Sequence, residues 1–599
     1  MRTFFILISF CLTLAATGCG GGGSNGGDNT GGISSIFGIN LNSLAATQQP
    51  RQIALSFTVS GNAVASIAAY RAQWRPNAQT AYTQIGGDLA AGASSALVEL
   101  PGLTMIDWAT ASMRMQACDA ANNCVTSNEQ ALLAVLPAAV GYFKASNTEA
   151  DDTFGSRVAL SADGNTMAVA STGEGSGADG VNGNEADNGA PLSGAVYVFA
   201  RGASGWVQQG YLKASNSDAS DLFGRSIALS ANGNTLAVGA TDEGSNATGI
   251  DGNQADNSAS RSGAVYVFAR VDGVWTQNAY VKASNTGAND LFGRSVALSA
   301  SGNRLAVGAL QEGNSGAAYV FERNATGWSQ AALLKASNAQ SNDWFGFALA
   351  FSSNGTTLAV AAREEASGAS GVNGDESDNS KSGAGAIYVF ARALLGGWSQ
   401  QAYLKASNPD VNDRFGHSLA LSADGDTLAV GAFGESSAAR GVGGDQADNA
   451  SNSSGAAYVF VRNGSNVWTQ QAYLKASNTH EGASFGIAIA LSGDGRTLAV
   501  GAYEERSNAR GIGGAQDNNL SLGSGAVYLF ASDGSAWTQR AYIKAPDNRP
   551  GDNFGLSVAL SGDGATLAVG AIGEDSAARG IGGDRDSTAS LESGSVYLF

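Results

Sequence analysis

The chain has 599 residues, 43% of them apolar and 14% charged, with 82 glycines and a formal net charge of −18. That apolar fraction is enough to fill a core, which excludes a disordered chain, and the glycine content suits a large β-protein with many tight turns. The negative balance argues against nucleic acid or an anionic lipid surface as the main partner, because both need clustered Lys and Arg.

At the start, Arg2 precedes an apolar run from Phe4 to Leu14, followed by Ala15, Ala16, Thr17, Gly18 and Cys19. The run is shorter than the roughly 20 residues that span a bilayer, so residues 1–18 read as a secretory signal. Small residues ahead of a cysteine resemble a bacterial lipoprotein signal, although Ala16 stands where that pattern prefers Leu. The resemblance implies that Cys19 is acylated; ordinary cleavage at a small-residue site is the alternative. Gly20 replaces the Asp of inner-membrane lipoproteins, which implies sorting to the outer membrane and display at the cell surface. Residues 19–35 are dominated by Gly, Ser and Asn, the composition of a flexible tether. Cys11 leaves with the signal, so Cys118 and Cys124 remain as an expected disulfide in an oxidising compartment. A metal site there is the weaker alternative, since no His or further Cys lies nearby.

Residues 36–137 carry short alternating runs, such as 53–57 and 96–100, broken by Gly, Pro and Asn. With no helical period, they predict a small β-sandwich. Trp74, Leu103, Trp108 and the Ala117-Cys118-Asp119 segment resemble a fibronectin type III or Ig-like module. Pro137-Ala138-Ala139 predicts a short hinge into the remainder, residues 138–599.

That remainder repeats. Phe-Gly recurs at Phe154, Phe223, Phe292, Phe345, Phe415, Phe485 and Phe554, with spacings of 69, 69, 53, 70, 70 and 69 residues. In the second copy, 223–230 and 235–240 flank Asn232-Gly233, a hairpin signal in which both central residues are expected at positive φ. A long loop leads to 264–268, and a turn leads to 275–283, making four strands per copy. The strands are apolar or small on both faces, as a sheet stacked between two others requires. The expected fold is all-β: a seven-bladed β-propeller of four-stranded blades. The chain stops at Phe599, after a third strand, while the segment 140–145 is a fourth strand without a blade. It is therefore expected to complete the last blade and remove two open sheet edges.

The markers Phe223-Gly224 and Gly239-Ala240 resemble the FG-GAP repeats of bacterial surface proteins and of the integrin alpha-subunit propeller. The proline of that pattern is absent from every copy, and copies one and four carry Ala170-Ser171 and Ala361-Ala362. The resemblance implies a propeller with adhesive or recognition work on one face.

Little in the chain points to catalysis. The only histidines, His417 and His480, fall in similar regions of two copies and do not recur, so no nucleophile–base set is expected and the chain is not expected to be an enzyme. Calcium is the better chemical candidate. In integrin-like propellers the metal sits in the first hairpin, and here that turn is too short to wrap an ion. Acidic residues collect instead in the long loop between second and third strands. There Asn182, Asn184 and Asp187, Asp251, Asn253 and Asp256, Asn373, Asp375 and Asp378, and finally Asp445 and Asp448 offer oxygens at spacings a hard cation can use. A polar loop closed by Asx turns is the alternative. An Asp two before Phe-Gly, at Asp152, Asp221, Asp290, Asp343, Asp413 and Asp552, reads as a tie to the recurrent Lys (Lys144, Lys213 and their equivalents) or as a ligand ring about the axis. The expected function is a monomeric, lipid-anchored surface protein that binds a protein or glycan through loops on one propeller face. A periplasm-facing assembly scaffold and a carboxylate-dependent hydrolase are the rivals.

Overall fold

The computed structural model describes residues 37–599, so the expected signal, Cys19 and the whole tether lie outside the described residues. The first unit has two sheets. One pairs Phe37–Ala46, Gln52–Gly61 and Ser95–Glu99; the other is built on Ile67–Arg75 and Ser112–Asp119 with short flanking strands. Alternation along these strands sends Leu41, Ile53, Leu55 and Phe57 to meet Tyr70, Met113 and Met115 in one core. Trp108 is buried beside them and donates its Nε1–H to Leu103 O at 3.2 Å. A disulfide joins Cys118 to Cys124 across a tight hairpin. The expected hinge is one helical turn, Leu136–Ala139, with Leu136 buried in the same core and Ala139 O accepting from Arg51 N at 2.8 Å. The junction is packed because its apolar side chains have a core on both sides.

The rest forms seven four-stranded antiparallel sheets among the described residues, in propeller-like repetition. In the second, Phe223–Leu229, Thr235–Ala240, Ala264–Val271 and Val274–Val281 follow one another in order. The first hairpin departs from expectation. Only Gly233 takes positive φ (67°), and its N–H donates to Ser230 O at 2.9 Å. Asn232 instead caps the turn, its Oδ1 accepting from Asn234 N at 3.0 Å. A type I turn followed by a left-handed glycine needs one glycine, which is why the residue before it varies among Asp, Asn and Ser.

Each sheet presents a small face to the next sheet's aromatic face. Between the first and second, Ala168, Ala170, Val196 and Val198 receive Phe223, Tyr266, Phe268 and Trp275. The seventh sheet offers Ala568, Val596 and Leu598 to Phe154, Tyr197, Phe199 and Trp206 of the first. Close approach near the inner strands is enforced at Gly239, where a Cβ would collide with Gly293 O of the next sheet. Ser226 Oγ donates to that same carbonyl at 2.8 Å. Backbone bonds also link the first hairpins: Ala162 N to Ala231 O, Ala231 N to Ala300 O, and on through Ser353, Ala423 and Gly493 to Gly562, whose N–H donates to Ala162 O at 2.8 Å.

The recurrent Lys does not tie to the Asp before Phe-Gly. Lys213 Nζ, wholly buried at the end of the fourth strand, binds Glu174 Oε2 at 2.8 Å and Ser193 Oγ at 2.7 Å. Tyr211 Oη, Asn147 Nδ2 and Ser176 N satisfy Glu174 Oε1 at 2.8, 3.2 and 3.1 Å. Equivalent buried pairs form at Lys282–Glu243, Lys405–Glu365, Lys475–Glu435 and Lys544–Glu505. The Asp carboxylates close local turns instead: Asp152 Oδ2 accepts from Glu149 N at 2.8 Å and Asp413 Oδ2 from Asp410 N at 2.7 Å.

Gly141–Phe143 pairs antiparallel with Ser595–Leu598, Tyr142 lying opposite Tyr597. Lys144 then makes the same buried contact with Glu574 at 2.8 Å and with Ser593 Oγ at 2.7 Å. Removing one partner of a buried pair strands the other charge in a low-dielectric site. Lys144→Ala should therefore destabilise the repeat unit by about 3–5 kcal/mol, and the paired Lys144→Met/Glu574→Leu variant should recover most of that loss. Chemical unfolding of the three proteins measures both effects.

Candidate functional site

The long loop between second and third strands rises beside its own sheet. Its first marked residue docks it: Asn182 Oδ1 accepts from Tyr211 N at 3.0 Å, Asp251 Oδ1 from Tyr280 N at 2.9 Å and Asn373 Oδ1 from Tyr403 N at 3.0 Å. All three take positive φ, 53° to 55°. The second closes a turn: Asn184 and Asn253 accept from the N–H two residues on at 3.2 Å, and Asp375 and Asp445 do so at 2.9 Å. The third clamps the loop neck. Asp187 holds Gly189 N and Gly177 N, both at 3.1 Å; Asp378 holds Ser380 N at 2.9 Å and Gly368 N at 3.0 Å. Asp448 holds Ala450 N at 2.9 Å and Ala438 N at 3.0 Å, and Asp256 holds Ser258 N at 2.9 Å. Hydrogen bonds from Ser258 keep the Asp256 carboxyl below its ordinary value.

These oxygens thus face their own backbone rather than a common point. Among the described residues no group of three or more His, Cys, Asp or Glu side chains is placed to hold a metal ion. The loops are closed by Asx turns, and on the sixth, seventh and first sheets they carry an exposed leucine beside their exposed carboxylates. Leu522 and Leu591 stand at equivalent positions of the sixth and seventh sheets, 62% and 64% exposed, with Leu192 of the first sheet at 47%.

The histidines are not equivalent. His480 sits in a loop with Nδ1 at 3.0 Å from Glu481 O. His417 opens the first strand of the fifth sheet, packed 5.2 Å from Phe347 and 4.6 Å from Phe433. Burial, with Arg363 and Arg294 adding to it, pushes its pKa well below the usual range and holds it neutral. The residues that repetition failed to expose are the node glutamates and the arginines around His417. The glutamates had a signal: Glu174, Glu243, Glu312, Glu365, Glu435, Glu505 and Glu574 each lie 20 residues after a Phe-Gly phenylalanine.

A family model for the FG-GAP repeat matches residues 206–268, 275–321, 328–390, 398–460, 468–530 and 537–599. The chain belongs to the FG-GAP repeat family. No curated protein matches it. Among solved structures, the FG-GAP chain is similar to the periplasmic gluconolactonase of Pseudomonas aeruginosa, with 15% identity over 73% of this chain and 93% of that one at a TM-score of 0.38. The WD40 repeats of RRP9 align at 8% identity over 76% and 99% with a TM-score of 0.36. AofleA from Arthrobotrys oligospora aligns at 10% identity over 67% and 88% with a TM-score of 0.32. At these scores none bears on the activity of the FG-GAP chain.

The turn-closing aspartates give the repeats a pH dependence. Burial pushes Asp152, Asp221 and Asp413 up to about 7 and Asp552 up to about 8. A carboxyl raised in the folded state contributes stability that is complete below its ordinary value of 3.8 and is lost as pH rises through the raised one. The melting temperature should therefore fall as pH rises from 3.8 to about 8 and level off above that. Asp552→Asn, which keeps the acceptor for Arg549 N, should flatten part of that fall. Scanning calorimetry across that window is the check.

Proposed function

We propose that the chain is a non-enzymatic recognition protein, exported and lipid-anchored at Cys19 to the bacterial outer membrane. Its seven sheets close into a seven-bladed propeller that binds a protein or glycan through its loop face. Ring closure is supported by the pairing of Gly141–Phe143 with Ser595–Leu598 and by the Gly562–Ala162 bond. The two-sheet unit ahead of it reads as a fibronectin type III or Ig-like stalk, supported by its split into a three-stranded sheet and a sheet built on Ile67–Arg75 and Ser112–Asp119.

The observation that carries the recognition role is the leucine row, Leu522, Leu591 and Leu192, on loops that Asx turns already hold in shape. Exposed leucines repeated on successive loops offer a partner apolar anchors, and pre-ordered loops lose little entropy on binding. Absence of catalysis is supported by His417, whose ring is wedged between aromatic neighbours. Protease added to intact cells should cut the protein, and Cys19→Ser should release it from membranes. Leu522→Ser/Leu591→Ser should capture less partner from envelope extracts than the parent chain. Protection until the outer membrane is opened would turn the reading to a periplasm-facing scaffold; unchanged capture would remove the leucine face from it.

Calcium in the loops of Asp187, Asp256, Asp378 and Asp448 is proposed only as weak association, on the order of 10⁻⁴ to 10⁻³ M. Their oxygens already serve backbone N–H groups, so a cation must displace those bonds. The net charge of −18 favours it all the same. Millimolar calcium should raise the melting temperature reversibly against chelator, and superimposable melts would end the proposal.

A further inference from the structure

The first strands of all seven sheets line one cavity of about 310 Å³. Its wall is uneven. Arg157 of the first sheet and Arg294 of the third line it, with Arg225 and Arg363 of the second and fourth close enough for their charges to act on Arg294, while Ile487 and Leu556 of the sixth and seventh also line it. Arg294 and Arg363 lie 4.1 and 4.4 Å from the Phe347 ring, and Arg363 Nη1 is 3.4 Å from His417 Nδ1. Arg363 is paired with Glu364 at 2.8 Å, and Arg225 has Asp242 in its neighbourhood. Arg157 donates only to Ser156 O, at 2.6 Å, and the charges acting on Arg157 and Arg294 are other arginines.

A protein of net charge −18 thus gathers guanidinium groups, two of them without a carboxylate, in a half-buried chamber. Such a cluster is unfavourable for folding alone, since each charge loses water and meets a like neighbour. Burial and that crowding pull Arg157 down to about 9. An oxyanion reverses both terms: it neutralises the cluster and accepts from the planar forks that suit carboxylate, sulfate and phosphate geometry. The neutral His417 adds no further charge, and Ile487 and Leu556 take carbon.

We propose that this chamber binds a small organic anion, its carboxylate, sulfate or phosphate head held by Arg157 and Arg294 and its apolar body laid against Ile487 and Leu556. The volume suits a ligand at the small end of the usual range and excludes a folded partner. The site is independent of the loop face, so neither reading depends on the other.

Calorimetric titration of the full chain at low salt with benzoate, inorganic phosphate and benzyl alcohol tests it. Benzoate should bind saturably at one site, phosphate more weakly, and benzyl alcohol not at all. Arg157→Met and Arg294→Met should each weaken benzoate by about tenfold or more, the worth of one charged hydrogen bond. Neither should lower the ligand-free melting temperature, because a like charge leaves the cluster. On the unaltered protein, benzoate should protect Arg157 and Arg294 from phenylglyoxal, a readout that stands even if a variant fails to fold. No saturable binding of either anion, equal affinity for benzyl alcohol, or unprotected arginines would overturn the proposal.

Discussion

Neighbouring sheets approach so closely along their inner strands that one added carbon would not fit, and the composition of the repeats follows from that. At Gly239 and its counterpart Gly570 a Cβ would strike the carbonyl of the next sheet's Phe-Gly glycine, Gly293 and Gly155. With that space kept open, a serine of the first strand reaches the same carbonyl: Ser226 to Gly293 at 2.8 Å, Ser557 to Gly155 at 2.7 Å. The serine needs the glycine, although the sixth sheet keeps Gly501 opposite Ala488. Where the second strand carries Ala170 or Ala361, the first carries Arg157 or Ala348 in place of serine. The small face also leaves room for the opposing aromatic set, so that Phe223 meets Tyr266 edge-on at 5.4 Å while filling the space beside Ala168 and Ala170. Glycine, serine and phenylalanine in the marker are three parts of one packing solution.

The Lys–Glu node works farther out, where sheets diverge and small residues no longer suffice. A buried ion pair stabilises only when its remaining hydrogen-bonding capacity is met. Here Glu174 Oε2 takes the lysine, and Oε1 takes a tyrosine, an asparagine and a backbone N–H. Asn147 comes from the segment entering the sheet, so the node also fixes how one repeat leads into the next. The third copy shows the dependence on the long loop. With that loop shortened, Leu333 replaces the tyrosine, and Lys335 is 36% exposed while still reaching Glu312. Between Lys144 and Glu574 the same chemistry joins residues at opposite ends of the repeat array, which makes a contact of general use into a clasp.

What was legible in the chain was whatever repeats. Four strands per copy and the pairing partner of Gly141–Phe143 follow from counting markers, because each copy needs the same sheet. The lysine's partner was misassigned to the nearby Asp, since nearness in sequence to Phe-Gly stood in for nearness in space. The fixed distance of 20 residues to Glu was the stronger signal. The loop oxygens were ambiguous for a physical reason: acceptors two residues apart with glycine between them describe both a cation loop and a string of Asx turns. The arginines were illegible because they do not repeat. Arg225 and Arg294 follow Phe-Gly directly in only two copies, Arg157 stands one place later and Arg363 follows a different strand; only convergence of sheets brings them together.

That convergence separates charge by depth. The six buried Lys–Glu pairs cancel internally, so the excess of carboxylates that makes up the −18 lies elsewhere, largely on the exposed loops and turns. The inner cavity has the opposite sign. An extended polyanion meets the acidic loops along its length and is repelled before it can use the arginines. A small anion crosses that screened rim at little cost, and gains strength from the guanidinium groups as water is left behind, since Coulomb attraction rises when the dielectric falls. An acidic exterior around a cationic chamber therefore selects by size as much as by charge, and it does so with side chains that the packing of the repeats leaves free to vary.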